Sequence, residues 1–289
     1  MMITGKTTLA GIIGFPIAHS LSPVMHNAAF AELGLDWNFV PFPVHPDRLA
    51  EAVAGLSALG VAGFNVTIPH KVAVMPLLDE VSDEARLIGA VNTVVVREGR
   101  LTGHNTDGIG LVAALREKLS FSPAGRSVLV VGAGGAGRSA VASLALSGAT
   151  RVEIANRSVE KASDLCLSLA PRLPGCSLGA VSLERLADPG YLAGFDLLVN
   201  TTSVGMKDDS LPGLSLAGLK EGFAVYDMVY APPVTPLMKE AARHGIASAN
   251  GLGMLVAQGE AAFYLWTGVR PPKGCMERAL TAYHSLGKP

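Results

Sequence analysis

The stretch Ser127–Gly137, S-V-L-V-V-G-A-G-G-A-G, constrains the fold of this chain most strongly. Val128 to Val131 is an unbroken apolar run rich in β-branched residues, the pattern of a strand buried on both faces. Gly132, Gly134 and Gly137 follow as G-x-G-x-x-G, and Arg138 to Ser147 reads as a helix. In such a strand–turn–helix the first glycine takes the tight turn and the second lets backbone approach a pyrophosphate. The third lets the helix pack close to the strand. The helix N-terminus adds N–H groups and the positive end of a dipole. With Ala133, Gly135 and Ala136 between the glycines, the turn is the expected pyrophosphate cradle of a dinucleotide site. A tight turn without a ligand is the plainer alternative.

The next strand bears on which dinucleotide. Arg151 to Ala155 reads as that strand, and it ends in Asn156-Arg157-Ser158, with Lys161 one turn later. An NAD-selecting site carries Asp or Glu at this tip to accept from the ribose 2′-OH. Here Glu153 lies mid-strand, and Glu160 is expected to point away from the tip if the helix begins at Ser158. A guanidinium, a hydroxyl and an ammonium suit a 2′-phosphate, so NADP is expected over NAD. The alternative for Arg157 and Lys161 is a solvated helix start.

At 289 residues the chain can build two domains with large cores, and 49% apolar against 16% charged residues describes a compact globular protein. A net charge of −1 with no basic block argues against nucleic acid as a partner. The three cysteines, Cys166, Cys176 and Cys275, are scattered without C-x-x-C, and the seven histidines show no metal-ligand spacing, so no metal site is expected. The apolar N-terminal run is broken at Gly11, Gly14 and Pro16, so no signal peptide is expected and the cytoplasm is the expected location. The apolar stretch from Val128 to Ala149 carries glycines and Arg138, which suit a nucleotide-binding unit better than a membrane span.

Along the chain, Leu9–Gly14, Asn38–Val44 and Gly63–Ile68 read as strands. Pro23–Leu33 reads as a helix capped by Ser22 and stopped by Gly34, and Pro46–Leu59 as another, ended by Gly60. A helical segment is expected after Lys71, and a short helix Asp83–Ile88 capped by Ser82. Val91–Val96 and Arg100–His104 form a hairpin turning at Glu98-Gly99. After Asp107 strands and helices alternate, with strands at Val128–Val131, Val152–Ala155, Leu178–Val181, Leu197–Asn200, Ala224–Asp227 and Ile246–Ala249. Gly251–Thr267 and Pro272–Ser285 are the closing helices. The expected fold is α/β. A doubly wound parallel (Rossmann) nucleotide domain spans 107–250, and a smaller α/β substrate domain spans 1–106, completed by C-terminal helices in 251–289. A ligand cleft is expected between them, at the carboxyl ends of the parallel strands, and the domains are expected to close over the ligand.

Several polar residues sit where function gathers, at strand ends and turns. Asn65, Thr67 and Lys71 share one strand-to-helix corner, Asn92-Thr93 opens the hairpin, and Asn105-Thr106-Asp107 follows it. Ser20 and Ser22 lie at a helix start that could hold a carboxylate, although Ser22 could equally be a plain cap, and so could Asp107. For oxidation of an alcohol by a nicotinamide a side chain must take the hydroxyl proton while others grip the substrate, and Lys71 with Asp107 is the natural proton-handling pair.

Eight segments together resemble the shikimate dehydrogenase family: G-F-P-I-A-H-S-L-S-P, N-V-T-I-P-H-K, G-A-V-N-T, N-T-D-G, G-A-G-G-A-G-R, N-R-S, Y-D-M-V-Y and G-L-G-M-L-V-A-Q-G. They run nearly end to end, in family order and spacing. The resemblance implies NADP-linked interconversion of 3-dehydroshikimate and shikimate, in the pathway to chorismate and aromatic amino acids. It implies that Ser20 and Ser22, with Tyr230, hold the substrate carboxylate, and that Thr67, Asn92 and Gln258 bind ring hydroxyls. Lys71 and Asp107 would bracket the reacting hydroxyl, with Lys71 the acid/base. Gly132–Gly137 would take the pyrophosphate, and Asn156, Arg157, Ser158 and Lys161 the 2′-phosphate. Met228 and Gly251 would line the nicotinamide end, Thr201 in the segment 200–203 would touch the cofactor, and Asp83 is a weaker cofactor contact. A homodimer is implied by the resemblance alone.

Two positions depart from the family pattern. Leu21 stands between the serines where many members carry Lys or Arg, and Lys161 stands where Arg is frequent. Lysine lacks the bidentate fork, which softens the expected NADP preference. The alternative is a broad quinate/shikimate dehydrogenase using NAD or NADP, although Ser158 is not the acidic residue of strongly NAD-using relatives. A non-catalytic nucleotide sensor need not keep both Lys71 and Asp107.

Overall fold

A computed structural model describes residues 3–207 and 209–285. The chain divides into two compact units, one of Met1–Thr106 with Val256–Pro289 and one of Asp107–Leu255.

The first unit carries strands β1 (Thr8–Gly14), β2 (Trp37–Pro43), β3 (Gly63–Val66), β4 (Glu80–Val81), β5 (Thr93–Arg97) and β6 (Arg100–His104). Its helices are α1 (Ser22–Glu32), α2 (Leu49–Ala58) and α3 (Asp83–Ile88), with α10 (Cys275–Ser285) from the far end of the chain. The sheet order is β2-β1-β3-β5-β6-β4. β1 runs parallel to β2 and β3, while β5 is antiparallel to β3 and to β6. This topology matters for function. The carboxyl ends of β1 and β3, the start of β5 and the end of β6 all fall at one end of the sheet, with Asn65 opposite Thr93 and Thr93 opposite His104. The hairpin turns through Glu98 and Gly99, both at positive φ (51° and 76°), as a two-residue turn between twisted strands requires.

The second unit runs α4 (Asp107–Leu119), β7 (Ser127–Val131), α5 (Gly135–Leu146), β8 (Arg151–Asn156), α6 (Val159–Leu169), β9 (Ser177–Ser182), α7 (Pro189–Leu192), β10 (Leu197–Asn200), β11 (Ala224–Asp227), α8 (Pro236–Arg243) and β12 (Ala247–Asn250). The order is β12-β11-β10-β7-β8-β9, every pairing parallel, so the winding reverses between β7 and β10. Ligands of such sheets bind outside the strand carboxyl ends at that switch. Val128 to Val131 are fully buried, as an apolar run covered on both faces must be.

The structure corrects several local expectations. Ser22 does not cap α1; it is the buried first residue of the helix, and the Ser20 hydroxyl accepts the Ser22 N–H at 3.3 Å. The expected helix from Pro46 begins as a 3₁₀ turn, Pro46–Arg48, and α2 starts only at Leu49 because Arg48 leaves helical geometry (φ −110°, ψ 11°). After Lys71 come turns and a 3₁₀ turn, Met75–Leu77, since Pro76 lacks the donor that an α-helix needs. α5 begins three residues earlier than expected, inside the glycine turn. The return to the first unit comes at Val256, within helix α9 (Leu252–Thr267), rather than at residue 251. The start of α9 belongs with the second unit because Gly251 packs on the Met228 backbone and Gly253 on Lys118 and Ala114.

Among the described residues no helix is long and apolar enough to cross a membrane, and no group of three or more His, Cys, Asp or Glu is placed to hold a metal ion. The three cysteines are free and buried.

His26 lies fully buried in the first unit, stacked on Phe39 with ring centroids 4.5 Å apart and close to Trp266 and Phe263. Neither ring nitrogen, nor the buried Asn65 Oδ1, meets a partner in good hydrogen-bond geometry. Burial holds the imidazole down to about 3, against a smaller opposing pull from the Asn65 side chain. The unfolded chain therefore takes up this proton first as the medium acidifies. The contribution to stability is full above about pH 6.5 and is lost toward pH 3, at up to about 1.4 kcal/mol per pH unit. Both tryptophans, Trp37 and Trp266, lie in the first unit. Urea midpoints followed by tryptophan fluorescence should fall between pH 6.5 and pH 4.5, and His26→Phe should flatten that fall; an unchanged slope would assign it to other groups.

Candidate active site

In the first unit the polar residues converge because the topology brings four strand ends together. Asn92, just before β5, is the hub. Its Nδ2 donates to Thr106 Oγ1 at 2.9 Å and to Gln258 Oε1 at 3.5 Å, and its Oδ1 accepts the Thr106 N–H at 2.7 Å. Thr93 Oγ1 donates to Asn92 Oδ1 at 3.0 Å and accepts from Asn65 Nδ2 at 3.1 Å. Asn65, Asn92, Thr93, Thr106 and Gln258 are all buried, so their order matters: an unpaired amide or hydroxyl there would be costly.

Thr67 follows β3, its N–H bonded to the Ile13 carbonyl at 3.0 Å, and Gly14 leaves room for it, since a Cβ there would collide with the Thr67 side chain. Lys71 is half-buried, and its carbonyl accepts the Val91 N–H at 2.8 Å, which fixes its backbone one residue from the hub. Ser20 lies in the turn between β1 and α1, and Ser22 is the first residue of α1. Asp83 is the exposed first residue of α3, whose cap is the Ser82 hydroxyl accepting from the Ala85 N–H at 3.2 Å.

In the second unit the glycine turn has the geometry its spacing implies. Gly132 takes φ +108°, where an L side chain is strained, and a Cβ there would lie 2.7 Å from Thr201 Oγ1. A Cβ on Gly137 would collide with the Gly132 carbonyl. Gly134, Gly135 and Ala136 are exposed, and Gly134, at the N-cap of α5, provides no side-chain cap for the helix amides. A buried, close-packed base with an exposed rim at a helix N-terminus is what a pyrophosphate needs. Asn156 ties the rim to the β8 tip: its Oδ1 accepts the Ala133 N–H at 3.3 Å and its Nδ2 donates to the Ser158 carbonyl at 2.8 Å. Ser158 caps α6 by accepting the Lys161 N–H at 3.3 Å. Arg157 and Lys161 are exposed, and Arg157 borders a groove of about 420 Å³ walled by Leu183, Ala187 and Pro212. The dinucleotide site thus fits the residues present.

Glu160 does not point away from the tip, because α6 begins at Val159 with Ser158 as its cap. The Glu160 carboxylate folds back and accepts the Ser158 hydroxyl at 2.8 Å.

Asp107, the first residue of α4, and Tyr230, after β11, both belong to the second unit and are half-buried; burial raises the Tyr230 phenol. Met228 follows β11, with its N–H bonded to the Asn200 carbonyl at 2.9 Å, and Gly251 admits no Cβ beside the Met228 backbone. Sequence reasoning missed what holds this end. Buried Asp227 accepts from Asn200 Nδ2 at 2.9 Å, Thr235 Oγ1 at 2.7 Å and the Val229 N–H at 3.1 Å, while desolvation raises its carboxyl. The available signal was a carboxylate ending the apolar run F-A-V-Y-D.

The sequence matches the family model described as shikimate dehydrogenase substrate binding domain over residues 12–94 and that of shikimate / quinate 5-dehydrogenase over 114–205. The shikimate 5′-dehydrogenase C-terminal domain matches over 251–281. It is 66% identical over 282 residues to a shikimate dehydrogenase (NADP(+)) of Geobacter sp. (strain M21), covering 98% of this chain and 97% of that relative. Shikimate 5-dehydrogenase from Listeria monocytogenes, solved with shikimate and NAD, superposes with a TM-score of 0.91 at 37% identity, over 97% of this chain and 98% of the other. The Thermus thermophilus enzyme, solved with NADP(H) and shikimate, gives 0.83 at 36% identity, over 96% of this chain and 99% of the other.

The glycine turn separates packing from ligand approach. Gly137→Ala should destabilise the second unit by about 1–3 kcal/mol through backbone overpacking. Gly134→Ala, with nothing within 4 Å of the added methyl, should leave the melting temperature in place and weaken dinucleotide binding. Calorimetric melting and titration of both variants check this; equal melting temperatures would contradict the packing assignment.

Proposed function

The chain belongs to the shikimate dehydrogenase family, and we propose that it interconverts 3-dehydroshikimate and shikimate with NADP, a step toward chorismate and the aromatic amino acids. What supports the reading most directly is the buried polar cluster around Asn92, in which two of the proposed substrate residues, Asn92 and Gln258, are bonded to one another beside Thr106. The substrate is a small polyol acid. Ser20 and Ser22, with Tyr230, hold its carboxylate, and Thr67, Asn92 and Gln258 bind its ring hydroxyls.

NADP, when bound, supplies or takes the hydride. The protein's work is to place the substrate and handle one proton. In reduction the carbonyl oxygen becomes a hydroxyl, and the Lys71 ammonium delivers that proton; in oxidation the Lys71 amine removes it. Asp107 is the second group at the reacting hydroxyl, and it follows Thr106 directly, whose backbone is fixed to Asn92. Gly132–Gly137, with Ala133, Gly135 and Ala136, holds the pyrophosphate, and Thr201 closes its base. Asn156, Arg157, Ser158 and Lys161 hold the 2′-phosphate, and the groove beside Arg157 suits the adenosine. Met228 and Gly251 lie at the nicotinamide end, and Asp83 is assigned a lesser cofactor contact. The ligands are thus small molecules, with neither nucleic acid nor membrane as a partner. A cytoplasmic homodimer completes the proposal, three free cysteines fitting a reducing compartment.

Two measurements test this. Initial rates at 340 nm with shikimate or quinate, each with NADP or NAD, should give the highest kcat/KM for shikimate with NADP; comparable rates with quinate would favour a broad quinate/shikimate dehydrogenase. Lys71→Ala should lower kcat by about 10²–10⁴-fold while shikimate still binds, and an unchanged kcat would remove Lys71 from proton transfer.

A further inference from the structure

The β8 tip contains one group that a 2′-phosphate site does not call for. Glu160 is the second residue of α6, exposed, and its carboxylate lies over the start of the helix. It accepts the Ser158 hydroxyl at 2.8 Å. It also engages its own backbone N–H, and these two hydrogen bonds hold the carboxyl below its usual range. A hydroxyl and a first-turn amide at a helix N-terminus are the donors an anion seeks. The Ser158 position is set independently of Glu160, by the Asn156 bridge to Ala133 and by capping of the Lys161 N–H. Glu160 is therefore an internal anion seated at a fixed site.

Building on the assignment of this tip to the 2′-phosphate, we infer that Glu160 is a specificity-determining residue that holds back the preference for NADP over NAD. A 2′-phosphate that binds Ser158 must displace the Glu160 carboxylate from the hydroxyl and then tolerate a negative charge nearby. The 2′-OH of NAD meets the opposite situation, since the same carboxylate accepts from it as an acidic residue does at an NAD-selecting tip. Arg157 and Lys161 pull toward phosphate, and Glu160 offsets part of that pull. The site is exposed and screened by salt, so the effect is a matter of several-fold rather than orders of magnitude.

Glu160→Gln tests this, since it removes the charge and keeps an acceptor of the same length for Ser158. Titration calorimetry with NADP⁺ and with NAD⁺ at low ionic strength should show NADP⁺ bound about 2–5-fold more tightly. NAD⁺ should bind equally or more weakly, and the gain should shrink at high salt. A ratio of the two dissociation constants unchanged from the parent protein would overturn the inference. Arg157→Ala, measured in parallel, tests the underlying assignment separately and should weaken NADP⁺ far more than NAD⁺. If it does and Glu160→Gln leaves the ratio alone, only the role of Glu160 falls; if Arg157→Ala weakens both equally, the assignment of the tip falls and the inference with it.

Discussion

The cofactor half of this protein depends on one contact that no side chain could make, the approach of the Gly137 Cα to the Gly132 carbonyl. It lets α5 start directly over the end of β7 and leaves Gly134, Gly135 and Ala136 exposed. The neighbouring strand tip completes the arrangement. Thr201, after β10, donates to the Val131 carbonyl at 2.8 Å and fills the space that a Cβ on Gly132 would need. Asn156, ending β8, reaches back to the Ala133 amide. Three strands thus converge on one turn, and each contribution is short, directional and backbone-linked.

The first unit is organised differently. Its focus is a side-chain amide, Asn92, whose donor and acceptor ends both serve Thr106. The mutual bonds of Asn92, Thr93 and Thr106 rigidify the buried cluster. Here the arrangement fixes the backbone at the end of β6, immediately before Asp107. The same chain of bonds runs through Thr93 to Asn65, beside the aromatic stack around His26.

Much of this was legible in the sequence where the information is local. Leu197–Asn200 and Ala224–Asp227 form strands over the residues read from their apolar runs, and the Glu98-Gly99 turn and the Ser82 cap follow from residue chemistry. Local signals also misled. Ser22 looks like a cap, yet Ser20 supplies the oxygen, because the chain enters α1 already in helical geometry at Leu21 (φ −88°, ψ −6°). The fold-back of Glu160 depends on a cap beginning one residue later than assumed. Bonds between distant residues, such as Asn92 to Gln258 across 166 positions, leave no periodic trace, and neither does the choice of partners for Asp227. The family motifs carry those residues as names in a pattern, while the geometry supplies the reasons.

The buried cysteines give the molecule an internal pair of reporters. Cys275 lies in the first unit at 3% exposure, and Cys166 and Cys176 lie in the second at 9% each. Burial raises all three thiols, Cys275 to about 11 with help from Glu32, so the folded chain presents no ready thiolate. Alkylation is then slow in the folded chain and speeds as a unit opens, and the labelled peptide identifies which unit opened. The native sequence can therefore report the breathing of its two halves separately, with no engineered label.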